Sequence, residues 1–146
     1  MHLNLTRSLL AASAILALSA MPAFAATVNF TADLNAAQVV PPTDSTGTGK
    51  AQVTLDTVSK ELTWNVTYEG LSGAVTAAHF HGPAAVGANA PVVVPFADPL
   101  TSPIKGSTTL TDEQITQLQG GMWYINLHTE KFPDGEIRGQ VTPAAM

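Results

Sequence analysis

Residues 51–69, AQVTLDTVSKELTWNVTYE, contain the pattern that decides the fold class of this chain. Apolar residues stand at every second position over residues 51–55 (Ala, Val, Leu) and again over residues 62–68 (Leu, Trp, Val, Tyr). A period of two places these side chains on one face of an extended strand. With a tight turn near residues 57–60, the stretch predicts two half-buried antiparallel strands.

The same alternation recurs on both sides of this stretch and predicts the rest of the sheet. One short helix is expected to open with a capping box at Thr111 and Gln114 and to end before Gly120. Roughly seven short strands with one helix indicate an all-β fold, a β-sandwich, with a small closed barrel as the alternative. The further strands are expected over residues 28–35, 75–81, 104–110, 122–129 and 136–141, with a short edge strand at 92–94 inside the long loop 83–103.

The first 25 residues have the three parts of an export signal. Arg7 supplies positive charge, residues 8–20 (SLLAASAILALSA) form an apolar run, and the Ala-Phe-Ala sequence at 23–25 has the small side chains that signal peptidase accepts. We therefore expect residues 1–25 to be a cleaved signal peptide and residues 26–146 to be one periplasmic or secreted domain. An uncleaved membrane anchor is the alternative, but the apolar run is too short to span a bilayer.

Composition excludes several classes of function. The chain has no cysteine, which excludes disulfides and thiolate metal sites such as blue-copper, iron–sulfur and zinc-ribbon centres. Without the signal peptide the domain keeps five Lys and Arg against eleven Asp and Glu, a formal charge of −6. Nucleic acid is therefore not an expected partner. No nucleophile elbow or glycine-rich phosphate loop is present, which argues against an enzyme without excluding one, and no catalytic residue is assigned.

The His79-Phe80-His81 sequence is the first part of a candidate metal site. The two histidines are two residues apart on a predicted strand, so both imidazoles face the same side while Phe80 faces the core. One strand thus supplies two nitrogen ligands to one ion, and imidazole suits copper and zinc. The alternative is that these histidines bond backbone groups on a polar sheet face.

His128, at the end of the first strand of the terminal hairpin, is the third candidate ligand. With the hairpin centred near Phe132, His128 is expected opposite Glu136, and Asn126 opposite Arg138. Glu136 is expected either beside the metal, as an outer carboxylate or fourth ligand, or in an ion pair with Arg138 on the same strand face. The linear sequence leaves open whether His128 approaches the other two histidines.

Four motifs follow one another along the chain: QVVPP at 38–42, TAAHFHGPA at 76–84, YINLHT at 124–129 and GEIRGQ at 135–140. In this order they resemble the motifs of the CHRD domain family, which was first recognised as repeats in chordin and also occurs singly in exported bacterial proteins. The similarity covers residues 27–142 and implies an immunoglobulin-like Greek-key β-sandwich. It also implies that the family's histidine positions are His79, His81 and His128. Growth-factor binding, which these domains accompany in chordin, is not implied, because this chain lacks the cysteine-rich modules of chordin.

A second similarity is to copper–zinc superoxide dismutase, which also has a His-x-His pair on a strand of a Greek-key β-sandwich. This chain has no cysteine pair and, after the signal peptide, only three histidines, fewer than that enzyme's ligand set. Three hypotheses follow: a metal-binding protein without turnover, copper first and zinc second; a structural or interaction module of the envelope or matrix with an unidentified protein partner; and a copper-dependent enzyme similar to superoxide dismutase.

Overall fold

The computed structural model describes Met21 and residues 26–145 of the chain. The predicted signal peptide, residues 1–25, therefore lies outside the described residues apart from Met21. The described residues form nine strands, one α-helix and a 3-10 turn over Ala36–Gln38. The helix α1 spans Asp112–Gln119, and the strands are β1 (Thr27–Asn35), β2 (Thr48–Asp56), β3 (Glu61–Glu69), β4 (Val75–His81), β5 (Val92–Pro95), β6 (Ile104–Thr109), β7 (Tyr124–Thr129), β8 (Ile137–Gln140) and β9 (Thr142–Pro143).

The strands form one curled antiparallel sheet in the order β5-β4-β7-β8-β1-β2-β3-β6, with β9 paired to β1. β3 pairs with β6 and β4 pairs with β7, so the chain returns to strands that are not sequence neighbours, as in a Greek key. The sheet has two halves, which we call the β4 half (β5-β4-β7-β8) and the β2 half (β1-β2-β3-β6). They are joined where Asn35 of β1 lies opposite Arg138 of β8.

The inner faces of the two halves pack on each other through aromatic side chains. Trp64 of β3 meets Phe80 of β4 edge to face, with ring centroids 5.4 Å apart. Phe80 also contacts Trp123, at 5.6 Å between centroids, and both of these side chains are fully buried. Phe96, just after β5, stacks on Trp64 at 5.0 Å. This cluster makes the curled sheet sandwich-like, because each half covers the apolar face of the other.

The alternation in β2 and β3 accounts for which side chains reach this core. Ala51, Val53 and Leu55 are at most 1% exposed, whereas the intervening Gln52 is exposed. Antiparallel pairing sets Val53 opposite Trp64, so the apolar faces of both strands lie on the same side of the sheet. The strand pattern read from residues 51–69 is therefore confirmed.

The helix has the predicted capping box. Thr111 Oγ1 accepts a hydrogen bond from the Gln114 N–H at 3.2 Å, and Gln114 Oε1 accepts one from the Thr111 N–H at 2.9 Å. The helix ends before Gly120 and Gly121, and Gly121 has a φ of 70°, which glycine adopts without strain. In the part of the chain that the structure describes, no helix combines the length and apolar character needed to cross a membrane.

The all-β sandwich-like fold with one short helix is thus confirmed. The short strand expected at residues 92–94 is β5, and it lies at one end of the sheet as predicted. Two features go beyond the prediction: the two-residue strand β9, and the continuity of the sheet through the pairing of β1 with β8. That pairing involves residues far apart in sequence, which alternation within one strand cannot reveal.

Candidate metal centre

Strand β4 presents His79 and His81 on one face and Phe80 on the other, as the two-residue spacing predicts. Phe80 is fully buried in the aromatic core and holds the strand against the β2 half. His79 is half-buried, His81 is 9% exposed, and their ring centroids are 5.3 Å apart. The packing of the intervening residue therefore fixes the two imidazoles side by side.

Strand β7 brings the third histidine to the same face. Antiparallel pairing places His128 opposite Ala77, and Asn126 opposite His79. Ala77 shares a face with His79 and has a small side chain, so the His128 ring has room to lean diagonally toward His79. His79 Nδ1 lies 3.3 Å from His128 Nε2. The approach of His128 to the pair, which the sequence left open, is therefore present in the fold.

The distances in this cluster fit a single metal ion. The three imidazoles each offer one nitrogen, and these nitrogens lie within 4.8 Å of one another. Two nitrogens bound to one ion at about 2.0–2.1 Å with a tetrahedral angle lie about 3.3–3.4 Å apart. The separation of 3.3 Å between the His79 and His128 nitrogens has this value. His79, His81 and His128 therefore form a group of three nitrogens that could hold one ion.

Backbone carbonyls orient two of the three rings. His81 Nδ1 donates to the Ala90 carbonyl at 2.9 Å, and His128 Nδ1 donates to the Pro133 carbonyl at 2.8 Å. Since a carbonyl oxygen only accepts, both Nδ1 atoms carry the hydrogen and both Nε2 atoms keep a lone pair. This is the arrangement in which an outer hydrogen bond sets the tautomer and direction of a ligating imidazole.

His81 Nε2 has an environment that protein atoms alone do not satisfy. The atom is buried and has no hydrogen-bond partner among the described residues. Its Nδ1 carries the hydrogen, so this Nε2 is an acceptor with a free lone pair. Buried polar atoms are nearly always paired, and an orphaned acceptor beside two further imidazoles fits a metal-ligand position.

Burial keeps these imidazoles neutral. Burial, together with the neighbouring His128 and His81, lowers the pKa of His79 to about 4. Burial lowers the pKa of His81 as well; its hydrogen bond to Ala90 opposes this, and the charges of His128 and Arg138 add to it. Neutral imidazole is the form that binds a metal, so both side chains are in the binding-competent state at neutral pH.

A stack of side chains lies behind His81. Tyr124, opposite His81 on β7, has its ring plane within 4° of the imidazole plane and its centroid 4.8 Å away. Arg138 of β8 lies over the Tyr124 ring, with Cζ 3.5 Å from the centroid. Because β4 and β8 flank β7, His81 and Arg138 contact Tyr124 from its two sides. The Tyr124 hydroxyl also accepts from the Ala90 N–H and donates to its carbonyl, so one loop residue holds both rings.

Glu136 does not lie beside the histidines, which is one of the two positions that the sequence predicts for it. Its buried carboxylate accepts hydrogen bonds from the hydroxyls of Ser45 and Ser72, both at 2.7 Å, from the Ser72 N–H at 2.8 Å, and from the Thr129 hydroxyl. Burial alone would raise the pKa of Glu136, but these hydrogen bonds outweigh it and lower the pKa. The sequence carries no signal for the two serines, which come from separate loops.

The expected ion pair between Glu136 and Arg138 is also absent from the ion pairs of the described residues. Arg138 does lie opposite Asn126, as predicted, and therefore shares the face of the histidines. Glu136 precedes the first residue of β8 and follows Gly135, whose φ is 122°, so strand alternation does not extend to it. This is why the two side chains point to different environments.

A family model described as the CHRD domain matches residues 30–141, which is most of the chain and includes all three clustered histidines. No curated protein matches the chain, and no solved structure matches it.

Proposed function

Because this chain belongs to the CHRD domain family, its three clustered histidines are part of that domain, and we propose that the protein binds one transition-metal ion through them, copper first and zinc second, without turnover. The ligating atoms would be His79 Nδ1, His81 Nε2 and His128 Nε2. Imidazole nitrogens suit both metals, and the affinity order of divalent ions for such a site places copper above zinc.

The observation that carries this proposal is the orphaned Nε2 of His81. Leaving a buried acceptor without a partner costs free energy, on the order of 1–3 kcal/mol. The protein nevertheless holds the ring in place through the Ala90 carbonyl and the Tyr124 ring. An ion shared with the other two imidazoles would satisfy this atom and would explain why the ring is held in this position.

The cellular location is part of the same proposal. We infer from the predicted signal peptide, residues 1–25, that the domain works in the periplasm or outside the cell, where it would bind or buffer metal. Separation of the mature form from the precursor by mass, after expression of the full chain, tests this inference directly. An exported protein whose mass still includes residues 1–25 would contradict it.

The experiment that tests metal binding is titration of the metal-free protein with Cu(II) and with Zn(II), beside the double variant His79→Gln/His81→Gln. Glutamine keeps size and polarity but removes both imidazoles. We expect one ion per wild-type chain and loss of binding in the double variant. Glu136→Gln is the matched control, since it alters a buried polar side chain that does not contact the histidines. Wild-type protein that takes up neither Zn(II) nor copper in either oxidation state would end the proposal.

The second candidate is a structural or interaction module of the envelope or matrix. It is supported by the hydrogen bonds that the His81 and His128 rings donate to backbone carbonyls. These bonds tie the loop residue Ala90 and the terminal hairpin, at Pro133, to the sheet. Under this alternative the histidine variants would lose stability and would show no difference in metal content. A dismutase-type enzyme ranks third; superoxide consumption no faster than that of free copper at equal concentration would exclude it.

A further inference from the structure

Arg138 is a buried positive charge whose partners are all neutral. The residue is 1% exposed and its guanidinium donates to Asn89 Oδ1 at 3.2 Å and to Gln140 Oε1 at 3.5 Å. Its remaining contact on this face is the Tyr124 ring. None of the ion pairs formed by the described residues includes it. Arginine stays protonated in proteins, so this charge is buried without a compensating carboxylate.

The charge lies directly behind a proposed metal ligand. Arg138 Cζ is 3.5 Å from the centre of the Tyr124 ring, and the centres of the Tyr124 and His81 rings are 4.8 Å apart. An ion on His81 Nε2 would therefore lie on the order of 10 Å from the guanidinium, across buried side chains where water screens little.

The proposed ligands do not offset that charge. All three are imidazoles, which bind metal in their neutral form. The carboxylate of Glu136 is held by Ser45, Ser72 and Thr129 and is not part of the cluster. No negatively charged ligand therefore offsets the repulsion between Arg138 and a bound ion. Because this repulsion is proportional to the charge of the ion, it is twice as large for a divalent ion as for a monovalent one.

We propose that this centre selects monovalent copper, Cu(I), over Cu(II) and Zn(II), and that Arg138 is the residue that sets this preference. The inference rests on the proposed function, since it concerns which ion the three histidines hold. At a separation of about 10 Å and an effective dielectric constant of about 20, one unit of ionic charge changes the binding constant by about tenfold. A neutral side chain in place of Arg138 would remove this discrimination between monovalent and divalent ions.

The neighbour Asn89 offers a way to cancel the charge without touching the sheet. Its side chain is exposed, and its Oδ1 already accepts from Arg138. Asn89→Asp keeps the shape and puts a carboxylate on the guanidinium. Asn89→Ala removes the hydrogen bonds to Arg138 and to the Val40 carbonyl without adding charge, so it also controls for the Val40 bond that Asn89→Asp loses. Asn29→Asp makes the same charge change at an exposed position of β1, in the β2 half, and controls for net charge.

The measurement is the ratio of binding constants for Cu(I) and Cu(II), each obtained by competition with a chelator of known affinity, with Cu(I) handled under anaerobic conditions and Zn(II) as a redox-silent divalent reference. We expect a ratio above one in the wild type. Asn89→Asp should lower it about five- to tenfold, Arg138→Met by a similar factor, and Asn89→Ala and Asn29→Asp by less than twofold. The Zn(II) constant should rise in the same two variants that raise the Cu(II) constant.

Two results would overturn the inference while leaving the metal site intact: a wild-type ratio below one, or an unchanged ratio in Asn89→Asp. The exposed position of Asn89 makes the second result decisive even where Arg138→Met does not fold. Wild-type protein that binds none of the three ions would instead contradict the proposed function, so the two failures are distinguishable.

Discussion

His79 Nδ1 and His128 Nε2 lie 3.3 Å apart although the two residues are separated by 49 positions in the chain. The contact exists because β4 and β7 are neighbours in the sheet, with His128 opposite the small Ala77. His128 Nδ1 donates to the Pro133 carbonyl, so His128 Nε2 keeps its lone pair, and its contact with His79 Nδ1 is a hydrogen bond between the two imidazoles that a shared ion would replace. The antiparallel pairing of two non-consecutive strands thus assembles the donor set.

Addition of metal to the metal-free protein should raise its melting temperature. A ligand at a free concentration of about 100 times its Kd stabilises the folded state by about 2.7 kcal/mol, which corresponds to several degrees for a domain of this size. His128→Ala should abolish the rise, because it removes one of three donors. Differential scanning calorimetry with and without Zn(II) measures this, and Asp33→Ala, which breaks the exposed ion pair with Lys50, is the control that should still respond.

The metal-free protein should lose stability as the pH falls from about 6.5 to about 4. The pKa of His79 is lowered from 6.5 to about 4 in the folded protein, so over this interval the unfolded chain binds more protons than the folded one. The free energy of unfolding should therefore rise with pH up to about 6.5, and His79 should contribute no further change above that value. Urea unfolding at several pH values measures the slope. His79→Gln should reduce it, and an equal slope in the variant would contradict the assignment.

Glu136→Gln should destabilise the protein at neutral pH and remove part of its acid sensitivity. The ionised carboxylate accepts hydrogen bonds from Ser45, Ser72 and Thr129, and an amide cannot accept all of them. The loss should be about 1–3 kcal/mol at pH 7. Because the pKa of Glu136 is lowered on folding, its contribution is present above the unfolded pKa of about 4.3 and is lost as the pH falls through the folded value.

The wild type and the Glu136→Gln variant should consequently converge in stability at strongly acidic pH. Chemical unfolding from pH 7 down to pH 3 gives this comparison. A constant difference between the two proteins over the whole range would show that the carboxylate contributes through packing and not through its charge.

Gly135→Ala should destabilise the terminal hairpin and weaken metal binding at the same time. Gly135 has a φ of 122°, and a Cβ there would lie 2.3 Å from Asn126 Oδ1. The strain should cost on the order of 1–3 kcal/mol. The hairpin also supplies the Pro133 carbonyl that orients His128, so its displacement should lower metal affinity. Gly73→Ala is the matched control, since nothing lies within 4 Å of a Cβ at that position. Equal affinity in both variants would separate the hairpin from the site.

Much of the fold follows from the residues taken one strand at a time. Alternation of apolar residues over 51–69 predicts β2 and β3, and the capping box at Thr111 predicts the start of α1, because both signals depend on neighbours in the chain. The placement of His79 and His81 on one face follows from the same two-residue period. These are local properties, and local backbone geometry suffices to determine them.

The sequence by itself therefore determined the β-rich class, the helix α1 and the side-by-side imidazoles of β4. Only the tertiary structure decided that His128 completes the cluster, that Arg138 lies behind Tyr124, and that Glu136 is held by serines of two loops. The physical reason is that strand order and register come from the packing of the two halves, a sum over contacts between residues far apart in the chain. Alternation tells which face a side chain is on, but not which strand lies beside it.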